Sequence, residues 1–286
     1  MKKGLAHRWG VVVIVAAVAI LAWLIWGNCT IQTTVLAVSD PNLPAGLEGV
    51  RIAQISDLHN AQFGQENRKL LNILRHQEPD LIALTGDLVD SRHPNLEVAV
   101  SFAQQAVQIA PCYYVTGNHE ARLQTQYDEL ETRLISCGVT VLHNQSETID
   151  VNGERIQLIG VDDPDFAEPG MFRMAGGIVR TEIQNAGAGE GYRILLSHRP
   201  ELFDVYVQEG IQLAFCGHAH GGQFRLPFLG GVIAPNQGLF PKYDAGLYRQ
   251  GDTAMIVSRG VGNSIIPVRV NNRPEVVIAV LETQGD

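Results

Sequence analysis

At 286 residues, 45% hydrophobic and only 18% charged, the chain carries enough apolar material for at least one sizeable core, which excludes a disordered or collagen-like polymer. A formal net charge of −9 and a pI near 5.5 exclude a broad basic surface of the kind that holds nucleic-acid phosphates. Any phosphate has to be met locally, and no nucleic-acid surface is evident.

Lys2, Lys3 and Arg8 precede an unbroken apolar run from Val11 to Trp26, with Trp9, Trp23 and Trp26 placed to sit near lipid headgroups. The run exceeds the roughly 7–15 residues of a signal h-region and falls short of the roughly 20 of a full span, so both readings stay open. Gly27-Asn28-Cys29 fits a cleavage site poorly and Ala37-Val38-Ser39 lies far on, which favours an uncleaved anchor; Asn28 also makes a poor lipobox. The nearby basic residues all lie before the run and the next is Arg51, so the positive-inside rule leaves the N-terminus in the cytoplasm. The expectation is a single-pass cell-membrane protein: 1–28 basic tip and anchor, 29–47 linker, 48–286 an extracytoplasmic folded domain.

Beyond the anchor, Ile31–Val38 reads as a short strand and Asp40–Pro44 as a turn. Apolar runs at Val50–Ile55, Asp80–Thr85, Cys112–Thr116, Arg155–Gly160, Tyr192–Ser197, Gln212–Cys216, Thr253–Ser258 and Val276–Leu281 predict strands. Helical spacing marks Gln65–Gln77, stopped before Pro79, and Asn95–Ile109, stopped before Pro111. A third helix is predicted around Gln126–Ser136, followed by strands at Val139–Leu142 and Thr148–Val151, the last turning at Asn152-Gly153. Gly221–Gly251 is rich in Gly and Pro with little periodicity and reads as an extended binding loop. Cys29, Cys112, Cys137 and Cys216 show no Cys-x-x-Cys spacing, which argues against a zinc ribbon or thioredoxin-like motif.

Five polar clusters interrupt this pattern: Asp57-Leu58-His59, Gly86-Asp87, Gly117-Asn118-His119-Glu120, Ser197-His198-Arg199 and Gly217-His218-Ala219-His220. Each follows an apolar run, so the polar groups fall at strand ends, where open α/β sheets keep their chemistry. Carboxylate, imidazole and amide oxygen are ligands that Zn, Mn and Fe accept. A lone Asp-x-His at a strand end commonly only caps a turn; five such clusters in succession point to a metal centre. Asp162-Asp163 is a paired carboxylate, but adjacent residues point apart, so it reads as structural. His7, His76, His93 and His143 lack motif context and read as exposed or packing residues.

The order of these motifs resembles that of the calcineurin-like metallophosphoesterases, from about Val50 to the C-terminus. The anchor, Ser258-Arg259-Gly260-Val261-Gly262 and Pro267-Val268-Arg269 further resemble bacterial membrane-associated phosphodiesterases of the YaeI and YkuE type. The resemblance implies a mixed α/β fold, a four-layer α-β-β-α sandwich. It implies two divalent ions (Mn first, or Zn or Fe), one held by Asp57, His59, Asp87 and His220 and the other by Asp87, Asn118, His198 and His218, with Asp87 bridging. Such a pair lowers the pKa of a bridging water towards hydroxide and neutralises phosphoryl charge. His119 would act as acid or phosphoryl stabiliser, oriented by Asp90, and Arg92, Arg199 and Arg269 are candidates to reach phosphate.

The leading expectation is therefore a membrane-anchored phosphodiesterase or pyrophosphohydrolase acting on a lipid-linked, nucleotide-sugar or cell-envelope polymer substrate. Two alternatives stand beside it. A carboxyl-ester or amide hydrolase would use the same activated water, and a non-catalytic metal-binding envelope protein would be marked by a missing ligand.

Overall fold

The structure is a computed structural model describing residues 2–167, 174–187, 189–263 and 265–283, with side chains described from residue 8 onward. The readings made for Lys2, Lys3 and His7 therefore concern side chains outside the described residues. In chain order the elements are α1 (Lys2–Cys29), β1 (Gln32–Asp40), β2 (Arg51–Ile55), α2 (Arg68–Gln77), β3 (Leu81–Thr85), α3 (Leu96–Ala106), β4 (Cys112–Val115), α4 (Asn118–Ala121) and α5 (Thr125–Ser136). There follow β5 (Thr140–Val141), β6 (Gln145–Val151), β7 (Glu154–Gly160), α6 (Ala175–Asn185), β8 (Tyr192–Leu196), α7 (Phe203–Gln208) and β9 (Leu213–Cys216). The chain closes with β10 (Arg225–Leu226), β11 (Gly230–Gly231), β12 (Ile233–Ala234), β13 (Gly238–Leu239), β14 (Gly246–Gln250), β15 (Thr253–Val257) and β16 (Glu275–Thr283).

Two six-stranded sheets form, in the orders β1-β16-β2-β3-β4-β5 and β14-β15-β9-β8-β7-β6. The apolar runs are continuous because both faces of each sheet are covered, and strand alternation sends neighbouring residues to different cores. Ile82 and Leu84 join Leu70, Leu74 and Phe102 beneath the helices α2 and α3. Leu81 and Ala83 point the other way, against Leu158, Ile194 and Phe215 of the second sheet. A third core packs Val179, Ile183, Phe203 and Tyr206 of α6 and α7 on the outer face of that sheet. The layers are thus helix, sheet, sheet, helix, the sandwich that the resemblance implied.

The segment expected as a linker is partly domain. β1 pairs along its whole length, in parallel, with β16, and Val38, Leu43 and Leu47 are buried between the sheets. The short strand expected at Ile31–Val38 is thus β1, which runs on to Asp40 and belongs to the first sheet rather than to a linker. The predicted hairpin at Asn152-Gly153 forms, both residues having positive φ as a type I′ turn requires. The stretch read as one long loop, 221–251, contains two small hairpins (β10–β11 and β12–β13) and β14; two-residue strands have no period to detect. All four cysteines are free, and Cys216 is buried as a small hydrophobe. α1 is apolar enough over Arg8–Cys29 to cross a membrane, and none of its best window is covered by the protein.

Candidate metal centre

β2, β3 and β4 run parallel in the first sheet, and β7, β8, β9 and β15 in the second, so the polar clusters that follow them emerge at common sheet edges. The two edges are bonded to each other. His198 Nδ1 donates to the Thr85 carbonyl at 2.7 Å, Gln54 Nε2 donates to the Cys216 carbonyl at 2.8 Å, and the His218 N–H reaches Asp57 Oδ1 at 3.2 Å. Ligands from the first half of the sequence therefore meet ligands from the second.

Asp57, His59, Asp87 and His220 offer ligand atoms all within 4.8 Å of one another, and Asp87, His198 and His218 do the same, with every residue buried. Asp87 belongs to both groups. His59 Nε2 and His220 Nε2 face each other at 3.3 Å, and His220 Nε2 lies 3.3 Å from Asp57 Oδ1. His198, whose Nδ1 is already committed to Thr85, points Nε2 at Asp87 Oδ2 across 3.2 Å. Asn118 places one end of its amide 2.9 Å from His218 Nδ1 and the other 3.1 Å from the Arg122 guanidinium. Its oxygen can serve either Arg122 or a cation beside His218, not both.

Lone pair facing lone pair in a buried place is costly unless a cation or proton lies between. Burial keeps His59 and His220 neutral, holding each down at about 3, and drives His218 well below the ordinary value. His119 is lowered by burial too. Burial also opposes charge on His198, yet the adjoining Asp87 carboxylate lifts it to about 10. Asp87 itself resists its own burial and stays well below the usual carboxylate range because His198 and His59 face it. A divalent cation seated among these atoms would compete with protonation of His198. Neutral imidazoles with buried carboxylates, converging on two points, fit a pair of borderline or hard divalent ions.

The backbone beneath the ligands is strained. Asp57, His59, Asp87, His218 and His220 all have positive φ, between 44° and 66°, a conformation non-glycine residues adopt at a cost. The neighbouring glycines serve different needs. Gly86 has φ 85° itself, whereas Gly117 has an extended backbone but leaves no space for a Cβ, which would strike the Asp87 carboxylate. Glu120, to which sequence reasoning assigned no role, holds this turn: it accepts from the N–H groups of Asp87 and Gly117 at 2.8 Å each and of Val89 at 3.2 Å. Burial and Asp87 push its carboxyl up to about 8, against those three donors. Its position beside Asn118-His119 was the available signal.

His119 sits edge-on to His59, with ring centroids 4.5 Å apart. Its Nδ1 accepts from the Ser91 N–H at 3.0 Å, so the neutral ring carries its proton on Nε2. Asp90, expected to orient the ring, approaches Nδ1 only to 3.6 Å; its carboxylate is held by Arg92 through three N–H donors. It shapes the turn that presents Ser91.

The three arginines separate. Arg92 keeps a side chain 40% exposed beside Asp90. Arg199, expected to reach phosphate, is instead buried between Asp163, at 2.5 and 2.7 Å, Asp165 and Glu201, with Nη1 3.3 Å from His218 Nε2. Arg269 is buried as well, donating to the carbonyls of Arg259 and Gly262 and to Asn263. Their donors are committed within the protein, a fact residue type and spacing cannot convey. Asp162 and Asp163 do point apart, Asp162 to Thr116 and His143 and Asp163 to Arg199.

A model of the family described as calcineurin-like phosphoesterase matches residues 50–222. An uncharacterized metallophosphoesterase of Bacillus subtilis, YkuE, is 28% identical over 88% of this chain and 86% of its own length. The Escherichia coli phosphodiesterase YaeI is 32% identical over 81% of this chain and 82% of its own. A Danio rerio transmembrane protein with a metallophosphoesterase domain is 30% identical over 84% of this chain, which spans 55% of that protein. Among solved structures, a Thermus thermophilus sulfate thiohydrolase shares the fold, with a TM-score of 0.50 at 14% identity over 84% of this chain and 58% of that one. With its ligands convergent and the family model spanning more than half its length, the chain belongs to the calcineurin-like phosphoesterase family.

Proposed function

We propose that the protein is a membrane-anchored phosphodiesterase using two divalent ions. The observation that carries this reading is the pair of ligand groups that share Asp87. Asp57, His59, Asp87 and His220 would hold one ion, and Asp87, His198, His218 and the Asn118 oxygen the other. When bound, such ions activate water and neutralise charge on the phosphoryl oxygens. His119 supplies the proton: Ser91 fixes its Nδ1 as acceptor, so Nε2–H donates to the departing oxygen. Arg92, exposed and paired with Asp90 through Nε and Nη2, would meet a phosphate oxygen with its remaining donor.

The preference for diesters rests on the likeness to a phosphodiesterase and on the envelope setting. Anchoring is supported by the uncovered apolar helix and by relatives named as transmembrane proteins. The positive-inside pattern puts the catalytic domain outside the cytoplasm, where a lipid-linked, nucleotide-sugar or envelope-polymer phosphoester would be its substrate. Full-length protein in detergent, stripped of metal and reloaded with Mn or Zn, should hydrolyse bis-p-nitrophenyl phosphate faster than p-nitrophenyl phosphate. Tight metal binding with neither substrate turned over would overturn the reading.

A further inference from the structure

The two hairpins β10–β11 and β12–β13 expose Leu226, Phe228, Leu229, Ile233, Leu239 and Phe240, with Phe228 fully in solvent. Apolar side chains clustered this way mark an interaction surface. We infer that this hairpin pair is a second membrane contact, docking on the same bilayer as α1 and holding the metal centre against the lipid surface. The inference rests on the anchor reading above.

Two independent observations choose lipid as the occupant. The first is continuity with the anchor. Asn28, in the last turn of α1, exchanges two hydrogen bonds with the Arg269 backbone, at 2.8 and 2.9 Å, and Arg273 donates to the carbonyls of Thr30 and Ile31 while its guanidinium lies over the Trp26 ring at 4.7 Å. The same segment carries the hairpins. Phe224 bridges Val270, the Arg225 N–H donates to the Val270 carbonyl at 2.9 Å, and Gln223 Nε2 donates to the carbonyls of Ile266 and Val268. Val232 joins the two hairpins, its N–H donating to the Phe224 carbonyl at 2.8 Å and its carbonyl accepting from the Phe240 N–H at 2.8 Å. The end of the membrane helix, the 266–273 segment and the hairpins are thus one hydrogen-bonded unit. Asn272 extends it to the metal centre by donating to the His220 carbonyl at 2.7 Å.

The second observation is charge. In a chain with net charge −9, no Asp or Glu occurs from Gly210 to Tyr243, and the carboxylates that reach the hairpins from outside this span are engaged, Asp244 by Arg225 and Glu201 by Asn236, while Lys242 is exposed. Apolar tips on a span whose neighbouring carboxylates are already engaged, with Lys242 exposed two residues beyond Phe240, suit an anionic bilayer interface.

The test uses the full-length chain with Cys29→Ser and Cys137→Ser, reconstituted in nanodiscs of phosphatidylcholine with 30% phosphatidylglycerol. An environment-sensitive fluorophore is attached at Phe228→Cys, at Leu239→Cys, or at Ile135→Cys on α5, an equally apolar exposed position away from the hairpins. Both hairpin labels should emit to the blue of the Ile135 label and be quenched at least twofold by nitroxide-labelled phosphatidylcholine. Emission and quenching equal to the Ile135 control would overturn the proposal. So would a blue shift without lipid quenching in particles holding two chains, which would assign the patch to a second copy. Co-migration of unlabelled protein with the nanodiscs reports on α1 separately, and hydrolysis is not read at all, so failure of the anchor or of the enzyme reading is not confused with failure of this one.

Discussion

The metal-facing sheet edges and the hairpin segment adjoin at Gly222, and they are built on opposite terms. At the sheet edges each polar side chain is buried and met by a partner, as Asp87 is by His198, His59 and the His119 N–H, and the backbone is held in costly conformations. In the hairpins the large exposed side chains are apolar, and polar contacts lie at the base, where Gln223 donates to Ile266 and Val268, and at the Asn236 turn, which reaches Glu201 and His218. Preorganised chemistry needs the first arrangement, because strain and buried charge persist only where surroundings over-determine them. A docking surface needs the second, since its energy is realised only on contact.

The difference can be broken most severely at Asp87. Asp87→Asn removes the carboxylate common to both ligand groups, and metal-dependent turnover of bis-p-nitrophenyl phosphate should fall by more than the roughly 10²–10³ typical of one lost stabilising group. Metal analysis of the same sample should show loss of bound ions. Gly117→Ala tests whether the edge tolerates even a methyl group. The added Cβ meets the Asp87 carboxylate, so thermal unfolding should report a loss of about 1–3 kcal/mol and metal affinity should weaken with it.

Glu120→Gln keeps the shape but replaces one acceptor oxygen with a donor facing N–H groups. Metal affinity should drop by about 10–100-fold, read by competition with a chelator, with little change in the fold.

Away from both regions, His143 offers a smaller pH effect. Its hydrogen bond to Asp162 at 2.9 Å raises its pKa above the ordinary value. A raised folded-state value means the stabilisation is complete below the unfolded pKa of about 6.5 and is lost as pH rises through the folded one. The ring is one-third exposed, so the stability gap between wild type and His143→Gln should stay within about 1 kcal/mol and close on the alkaline side. The smallest effect belongs to the hairpins: Phe228→Ser should leave stability in detergent within about 0.5 kcal/mol, checked by thermal unfolding. A larger loss would mean that Phe228 packs within the domain and would erase the contrast.

Much of this was legible in the sequence. β2, β3, β4, β8 and β9 are short apolar runs ended by polar clusters, so both their existence and the position of their chemistry followed from local pattern. α2, α3 and α5 announced themselves by helical spacing and by the prolines or glycine beyond them. β1 was legible as a strand at Ile31–Val38, but its parallel pairing with β16, which makes it part of the folded domain rather than of a linker, depends on a partner at the far end of the chain. α7 and the two hairpins were missed because so few residues show no period, and α6 because Gly176 and Gly177 open it and only Val179 and Ile183 mark its buried face.

The sequence by itself determined which residue types stand at strand ends and in what order, because side-chain chemistry and apolar periodicity are properties of neighbours along the chain. Only the tertiary structure decided which arginine keeps an exposed side chain, that the Ser91 N–H bonds His119 Nδ1 while Asp90 stands 3.6 Å from it, and that Glu120 supports the Asp87 turn. Those outcomes depend on distances between residues far apart in the chain. Two sheets packed face to face bring Thr85 to His198 and Asp57 to His218, and no local pattern encodes how closely.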